Sequence, residues 1–231
     1  MKHNIQNWTE KHRPQGYVDI KGQDEAIKEI ELFVRNFSSS GKGKKAILLH
    51  GPAGIGKTTL AHATKNELNF EIYELNASDF RNKEQLELKL KPALEQQSLF
   101  SNGKIILVDE VDGLSSRKDR GGLPELVSLI KKTKFPIMIT ANDIWDKKFN
   151  DLRKNCKLVG LKDVDYKHTS LILQSIAQKE NLNINNQVLT SIAIRCKGDV
   201  RAAINDLQIV AYDGINNYLS TDERNKSIDI F

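Results

Sequence analysis

An α/β domain with a parallel sheet flanked by helices, followed by a small helical domain, is the fold class this sequence predicts. Three observations carry that expectation. Five short apolar runs of strand character, at 46–49, 71–75, 104–108, 136–140 and 157–159, alternate with stretches of helical spacing. A glycine-rich segment, Gly51-Pro52-Ala53-Gly54-Ile55-Gly56-Lys57-Thr58, joins the first run to the helical stretch after it. Beyond about residue 161 the strand signal stops, and three helical patterns follow. Strands that alternate with helices are joined by crossovers, which implies a parallel sheet covered on both faces.

Each element has its own reason. Residues 24–37 place Ala26, Ile30, Phe33 and Phe37 on one helical face, widened by Ile27 and Val34. Residues 57–69 continue as a helix from the glycine-rich segment. Residues 83–97 carry Leu86, Leu90, Ala93 and Leu94, with Pro92 kinking or splitting that helix. Residues 122–133 carry Leu123, Leu126, Val127 and Ile130. The later helices are expected at 165–181, 185–196 and 199–213. The last has an apolar stripe of Val200, Ala203, Ile204, Leu207, Val210 and Ala211, which packs a small bundle. Residues 214–231 lack periodicity and read as an extended or frayed tail. The expected domains are therefore 1–161 (α/β), 162–213 (helical lid) and a tail from 214 to 231.

Composition narrows the class. The chain of 231 residues is 39% hydrophobic and 28% charged, ordinary for a soluble globular protein, and long enough for a sizeable core. No apolar run approaches the roughly 18 residues a membrane helix needs, and the first residues do not resemble a signal peptide. The two cysteines, Cys156 and Cys196, lack metal spacing and read as buried thiols in a reducing compartment. The five histidines form no ligand pair, so a metal site built from side chains alone is not expected. A net charge of +5 mildly favours a polyanionic partner. Basic residues cluster at Lys42/Lys44/Lys45, Arg117/Lys118/Arg120, Lys131/Lys132/Lys134, Lys147/Lys148 and Arg153/Lys154/Lys157. Most such clusters are solvated surface.

The glycine-rich segment matches the pattern of a phosphate-binding loop: Gly, four residues, Gly, Lys, then Ser or Thr. Glycines let backbone N–H groups turn inward as an anion nest, and the following helix adds its positive end. Lys57 would reach the β- and γ-phosphates and the Thr58 hydroxyl would hold Mg²⁺, with Thr59 next along the helix. The run Ile105-Ile106-Leu107-Val108 ends in Asp109-Glu110-Val111-Asp112. Asp109 is suited to the Mg²⁺ shell, and Glu110 to polarising the water that attacks the γ-phosphate. Acidic residues at a strand end are also common turn formers; coupled to 51–58 they point to an ATPase. Asn142 ends the fourth run and reaches a γ-phosphate if that strand neighbours the loop. A turn asparagine is the ordinary alternative. Arg201 falls off the apolar stripe of the last helix, on a side with Asn205 and Gln208. Spacing alone favours a solvated arginine there.

At this point the chain resembles a known family. Trp8-Thr9-Glu10-Lys11-His12-Arg13-Pro14, Gly22-Gln23, Glu74-Leu75-Asn76-Ala77-Ser78-Asp79 and the motifs above are similar to the AAA+ clamp loader subunits of the replication factor C family, over about residues 8 to 213. Asp109-Glu110-Val111-Asp112-Gly113 and Asp119-Arg120-Gly121-Gly122, followed by Leu129-Ile130-Lys131-Lys132-Thr133, look like the large subunit of the archaeal type. The resemblance implies an AAA+ P-loop NTPase fold with a helical lid. It implies ATP and Mg²⁺ as ligands, Asn142 and Arg201 as sensors, and adenine lying against the 13–20 segment, Arg13 and Val18 included. It also implies clamp loader small subunits, a PCNA-type sliding clamp and primer-template DNA as partners. Location would be cytoplasmic, or nuclear in a eukaryote. Residues 83–100, ending in Gln97-Ser98-Leu99-Phe100, would face the clamp, although an apolar pair at a helix end is more often core. Arg117, Lys118 and Arg120 would face DNA phosphates.

Two departures qualify the likeness. Where the family's small subunits carry Ser-Arg-Cys, this chain has Leu152-Arg153-Lys154-Asn155-Cys156. Asn155 occupies the place of the arginine finger, so activation of a neighbour through that position is not expected. The chain also stops before a collar domain, so a truncated or unusually short member is expected. The function expected is ATP binding and hydrolysis that drives clamp loading in replication. The competing readings are a nucleotide-gated scaffold with little hydrolysis of its own, and a P-loop kinase.

Overall fold

The computed structural model describes residues 6–38, 43–76, 103–114 and 122–213. The helix expected at 83–97, the Leu99–Phe100 pair, Arg117, Lys118 and Arg120, the Ala77-Ser78-Asp79 part of the motif and the 214–231 tail lie outside the described residues. Pro14–Lys162 forms one compact unit; the described residues up to Arg13 and from Asp163 onward form a second.

The α/β unit holds a five-stranded sheet in the order β2-β3-β4-β1-β5. Its strands are β1 (Ala46–His50), β2 (Phe70–Asn76), β3 (Gly103–Asp109), β4 (Ile137–Ala141) and β5 (Cys156–Gly160). All four pairings are parallel. Among the described residues, the α-helices of this unit are α2 (Asp24–Arg35), α3 (Lys57–Leu68), α4 (Gly122–Lys132) and the short α5 (Asn150–Asn155). A parallel sheet buried on both sides needs apolar residues at consecutive strand positions, and period-two alternation then divides them between the faces. In β1, Ala46 and Leu48 join the core under α4 and α5, while Ile47 and Leu49 join the core under α2 and α3. In β3, Ile106 and Val108 face the first core, and Ile105 and Leu107 the second. Leu48, Leu49, Ile106 and Leu107 are all fully buried.

The second unit is helical: α1 (Trp8–Lys11), α6 (Tyr166–Lys179), α7 (Asn186–Arg195) and α8 (Val200–Asp213). The Asp165 and Asn185 side chains cap α6 and α7 by accepting from the His168 and Gln187 N–H groups. The His168 N–H, foremost, holds the Asp165 carboxyl below its ordinary range. Trp8, only 4% exposed, enters the core formed by Leu173, Ile176, Leu189, Ile192, Ala203 and Leu207.

That placement corrects the domain boundary expected at residue 1. The Trp8 N–H donates to the Gln208 Oε1 at 3.1 Å, and the Gln208 amide returns a bond to the Gln6 carbonyl. Lys11 and His12 both meet Glu180, at 2.5 and 2.6 Å. The described residues before Pro14, from Gln6 on, thus belong to the helical unit. A single large aromatic gains more by burial in a small core than by lying on the surface, a preference that periodicity over four residues does not reveal. Burial pushes the Cys156 thiol up to about 12; burial, then Asp206, does the same for half-buried Cys196.

Candidate active site

The sheet order puts β1 between β4 and β5, so the loop leaving β1 emerges beside the end of β4. His50 pairs with Ala141 on one side and Gly160 on the other. Gly51 opens the loop at φ 148°, where an added Cβ would lie 2.6 Å from the Leu161 carbonyl oxygen. Only glycine fits. Gly56, at φ 96°, caps α3 with no side chain over the first turn. The N–H groups at the start of α3 therefore remain available to an anion, at the positive end of the helix.

Lys57 begins α3 and is 8% exposed. Its ammonium donates to the Gly51 carbonyl at 2.8 Å, the Pro52 carbonyl at 2.6 Å and the Asn142 Oδ1 at 2.8 Å. A buried charge must be matched by acceptors, and these three match it. Ile55 anchors the loop by burying its side chain in the core under α2 and α3. Pro52 and Ala53 are exposed at the tip.

Period-two alternation also assembles the polar end of the sheet. Asp109 follows Ile105 and Leu107 on the α3 face, and Thr140 follows Met138 on that face of β4. The Thr58 hydroxyl, on α3, donates to Asp109 Oδ1 at 2.9 Å, with Oδ2 at 3.2 Å. The Thr140 hydroxyl also donates to Asp109 Oδ1, and accepts from the Glu110 N–H at 3.0 Å. Glu110 has φ 56° and an exposed side chain. Its left-handed backbone ends the strand and turns the carboxylate off the ladder. The structure thus brings Lys57, Thr58, Asp109, Glu110 and Asn142 to one end of the sheet. Sequence reasoning missed Thr140, a fully buried hydroxyl in an otherwise apolar strand. A lone hydroxyl in an apolar run was the available signal, but its partner follows only from the β3–β4 register.

Thr58 and Asp109 offer hard oxygen donors of the kind a small divalent cation takes. Among the described residues no group of three or more His, Cys, Asp or Glu stands ready to ligate a metal. A cation there would complete its shell with phosphate and water oxygens. His50, at the end of β1, meets Trp145 edge to face at 5.7 Å. Burial holds its pKa below the ordinary value, Asp143 opposes that and the Lys57 charge adds to it. Arg153 and Asn155 lie on α5, a helix too short for periodicity to reveal. The Arg153 guanidinium donates to the Ile144 and Asp146 carbonyls and lies over the Trp145 ring, while the Asn155 amide donates to the Asp151 carbonyl.

Val18 sits on a short helical turn (Tyr17–Asp19) and is 76% exposed. Tyr17 beside it ties the turn to α3 through its hydroxyl on Thr64. Arg13 and Arg201 belong to the helical unit. Arg13 is paired with Glu10 at 2.6 Å, and Arg201 is exposed on α8.

Residues 47–157 match the family model described as ATPase family associated with various cellular activities (AAA). The chain belongs to the AAA ATPase family. Residues 171–212 match a second model, RCF1/5-like, AAA+ ATPase lid domain. Among curated proteins, the chain is 45% identical over 88% of its length to the replication factor C large subunit of Thermofilum pendens, covering 50% of that protein. It is 41% identical over 96% of its length to the same subunit of Nanoarchaeum equitans, covering 52%. The chain therefore spans about half the length of these relatives. Among solved structures, the RuvB Holliday junction branch migration motor of Thermotoga maritima shares the fold, with a TM-score of 0.68 at 23% identity over 86% of this chain and 65% of that one. The fold class read from the sequence, a parallel sheet flanked by helices with a helical lid, is the fold of this AAA chain. No helix among the described residues is long and apolar enough to cross a membrane.

Proposed function

We propose that this chain is the ATP-binding and hydrolysing module of a replication factor C large subunit. Within a complex of small subunits it would load a PCNA-type sliding clamp onto primer-template DNA. The observation that carries the reading is the meeting of Lys57 and Asn142 with Thr58, Asp109, Thr140 and Glu110 at the mouth of a glycine loop. In it the backbone of Gly51, Pro52, Ala53, Gly54, Ile55 and Gly56, with Lys57, Thr58 and Thr59, holds the phosphates.

Thr58 and Asp109 would hold Mg²⁺, which supplies charge neutralisation on the phosphate oxygens when bound. Thr140 keeps the Asp109 carboxylate directed at Thr58 and fixes the backbone from which Glu110 projects. Glu110, exposed and off the strand ladder, accepts the proton of the attacking water. Asn142, paired with Lys57, faces the terminal phosphate. Val18 offers exposed apolar surface to the adenine. Arg13 as an adenine contact and Arg201 as a second sensor enter on the family resemblance alone. The exposed Glu110 carboxylate next to Asp109 supports water as the acceptor, since a kinase does not need that adjacent base.

Lys57→Ala is expected to abolish tight ATP binding, and unchanged affinity by calorimetry would remove the nucleotide site. Glu110→Gln is expected to retain binding and lose turnover. Normal single-turnover hydrolysis by that variant in the assembled complex would move the base elsewhere. Retention of intact ATP by the unaltered protein in that complex would favour the gated scaffold.

A further inference from the structure

Asp112 has a role that the nucleotide-site reading does not use. It lies in the helical turn Val111–Gly113, directly after β3. The turn is closed by its own backbone: the Gly113 N–H donates to the Glu110 carbonyl at 3.0 Å and the Leu114 N–H to the Val111 carbonyl at 3.1 Å. Val111 and Leu114 anchor it, both buried in the core under α4 and α5. The Asp112 carboxylate is therefore not needed to form the turn. One of its oxygens, Oδ2, accepts from the Asn142 Nδ2 at 2.8 Å. The other, Oδ1, is buried and has no hydrogen-bond partner among the described residues. A carboxylate kept in that condition costs stability, which a purely structural position would shed by substitution.

The two ends of an asparagine amide have nearly the same shape, so contact geometry alone does not select its orientation. Chemistry does. The Lys57 ammonium only donates and the Asp112 carboxylate only accepts, and Asn142 sits between them with its oxygen on Lys57 and its nitrogen on Asp112. Turning the amide over would set nitrogen against ammonium and oxygen against carboxylate, losing both charge-assisted bonds.

We infer that Asp112 is a positioning residue that fixes the orientation of the Asn142 amide, and through it the reading of a terminal phosphate. This rests on the proposal that Asn142 faces that phosphate. Its effect belongs to discrimination between triphosphate and diphosphate, not to the cradle that holds the phosphates common to both.

The test is calorimetry on the 231-residue chain with ADP and with a slowly hydrolysed thio-analogue of ATP. Five proteins are compared: unaltered, Asn142→Ala, Asp112→Ala, the double variant of those two, and Asp112→Asn. Asn142→Ala is expected to reduce the preference for the triphosphate by about tenfold, the scale of one hydrogen bond to a charged group. Asp112→Ala should reduce it to a similar extent, and the double variant should lose no more than either alone. Asp112→Asn, which keeps an acceptor, should recover part of the preference. Thermal melts on the same samples report folding. Losses that add in the double variant, or a normal preference in Asp112→Ala beside a lost one in Asn142→Ala, would overturn the inference. A normal preference in Asn142→Ala would instead refute the sensor role, leaving Asp112 nothing to act through. Failure of the unaltered chain to bind either nucleotide would refute the nucleotide site itself, and this inference with it.

Discussion

At Gly51 a hydrogen stands where any other residue would place a carbon 2.6 Å from the Leu161 carbonyl oxygen. The obstacle is backbone, which does not swing aside as a side chain does. Gly51→Ala is therefore expected to lower the melting temperature and weaken ATP binding at least tenfold, both readable in one thermal-shift titration. Thr140 makes a different kind of contribution, one hydroxyl serving Asp109 and the Glu110 backbone together. Thr140→Val keeps the shape and removes the polar link. It should reduce Mg²⁺-dependent turnover by about tenfold, on the scale of a hydrogen bond to a charged group, while Thr140→Ser retains most of it. His50 responds to acid. Its folded pKa lies below the ordinary value, so the unfolded chain takes up the proton first and stability is lost as pH falls below about 6.5. Melting temperatures followed from about pH 7.5 to about pH 5.5 should decline less steeply for His50→Asn than for the unaltered chain.

Among the elements, α1 shows how much a short segment contributes. Trp8→Ala leaves a large void among Leu173, Leu189 and Leu207 and is expected to cost about 3–5 kcal/mol. Chemical denaturation should show that loss in the helical unit. Gln23 is a smaller anchor: its buried amide donates to the Lys162 carbonyl at 2.7 Å, tying the start of α2 to the chain just past β5. The long elements were legible from the residues because their apolar periods run through whole cores. The strands read at 46–49 and 104–108 occupy Ala46–His50 and Gly103–Asp109, and the helix read at 199–213 occupies Val200–Asp213. The helices α1 and α5 were not legible, being of four and six residues, too few for a period to repeat. Phosphate-loop chemistry could be read because glycine spacing is local. The clasp of Thr140 and Asp112 on their neighbours could not, since it depends on which strands adjoin.

The molecule as a whole is two units, with its first described helix in the second of them. On the family resemblance Asn155 would stand at the small subunits' arginine-finger position, and Arg153 is held by the Ile144 and Asp146 carbonyls. If fingers reach this ATP site from neighbours, the isolated chain should turn over slowly. Adding the small subunits proposed as its partners should then raise the rate by about 10³–10⁵. Brisk ATPase activity of a verified monomer, independent of concentration, would contradict that arrangement.

The interior place of β1, between β4 and β5, has a consequence for synthesis and refolding. Both strands that flank it, β4 and β5, are contributed by much later parts of the chain, and the Leu161 N–H closes onto the His50 carbonyl at 2.8 Å. The phosphate loop is an early stretch of polypeptide whose walls arrive late. A nascent chain that has not yet emerged past Leu161 would carry the loop without its frame. Competence to capture nucleotide should then appear abruptly near the close of folding, long after the first local helices have formed.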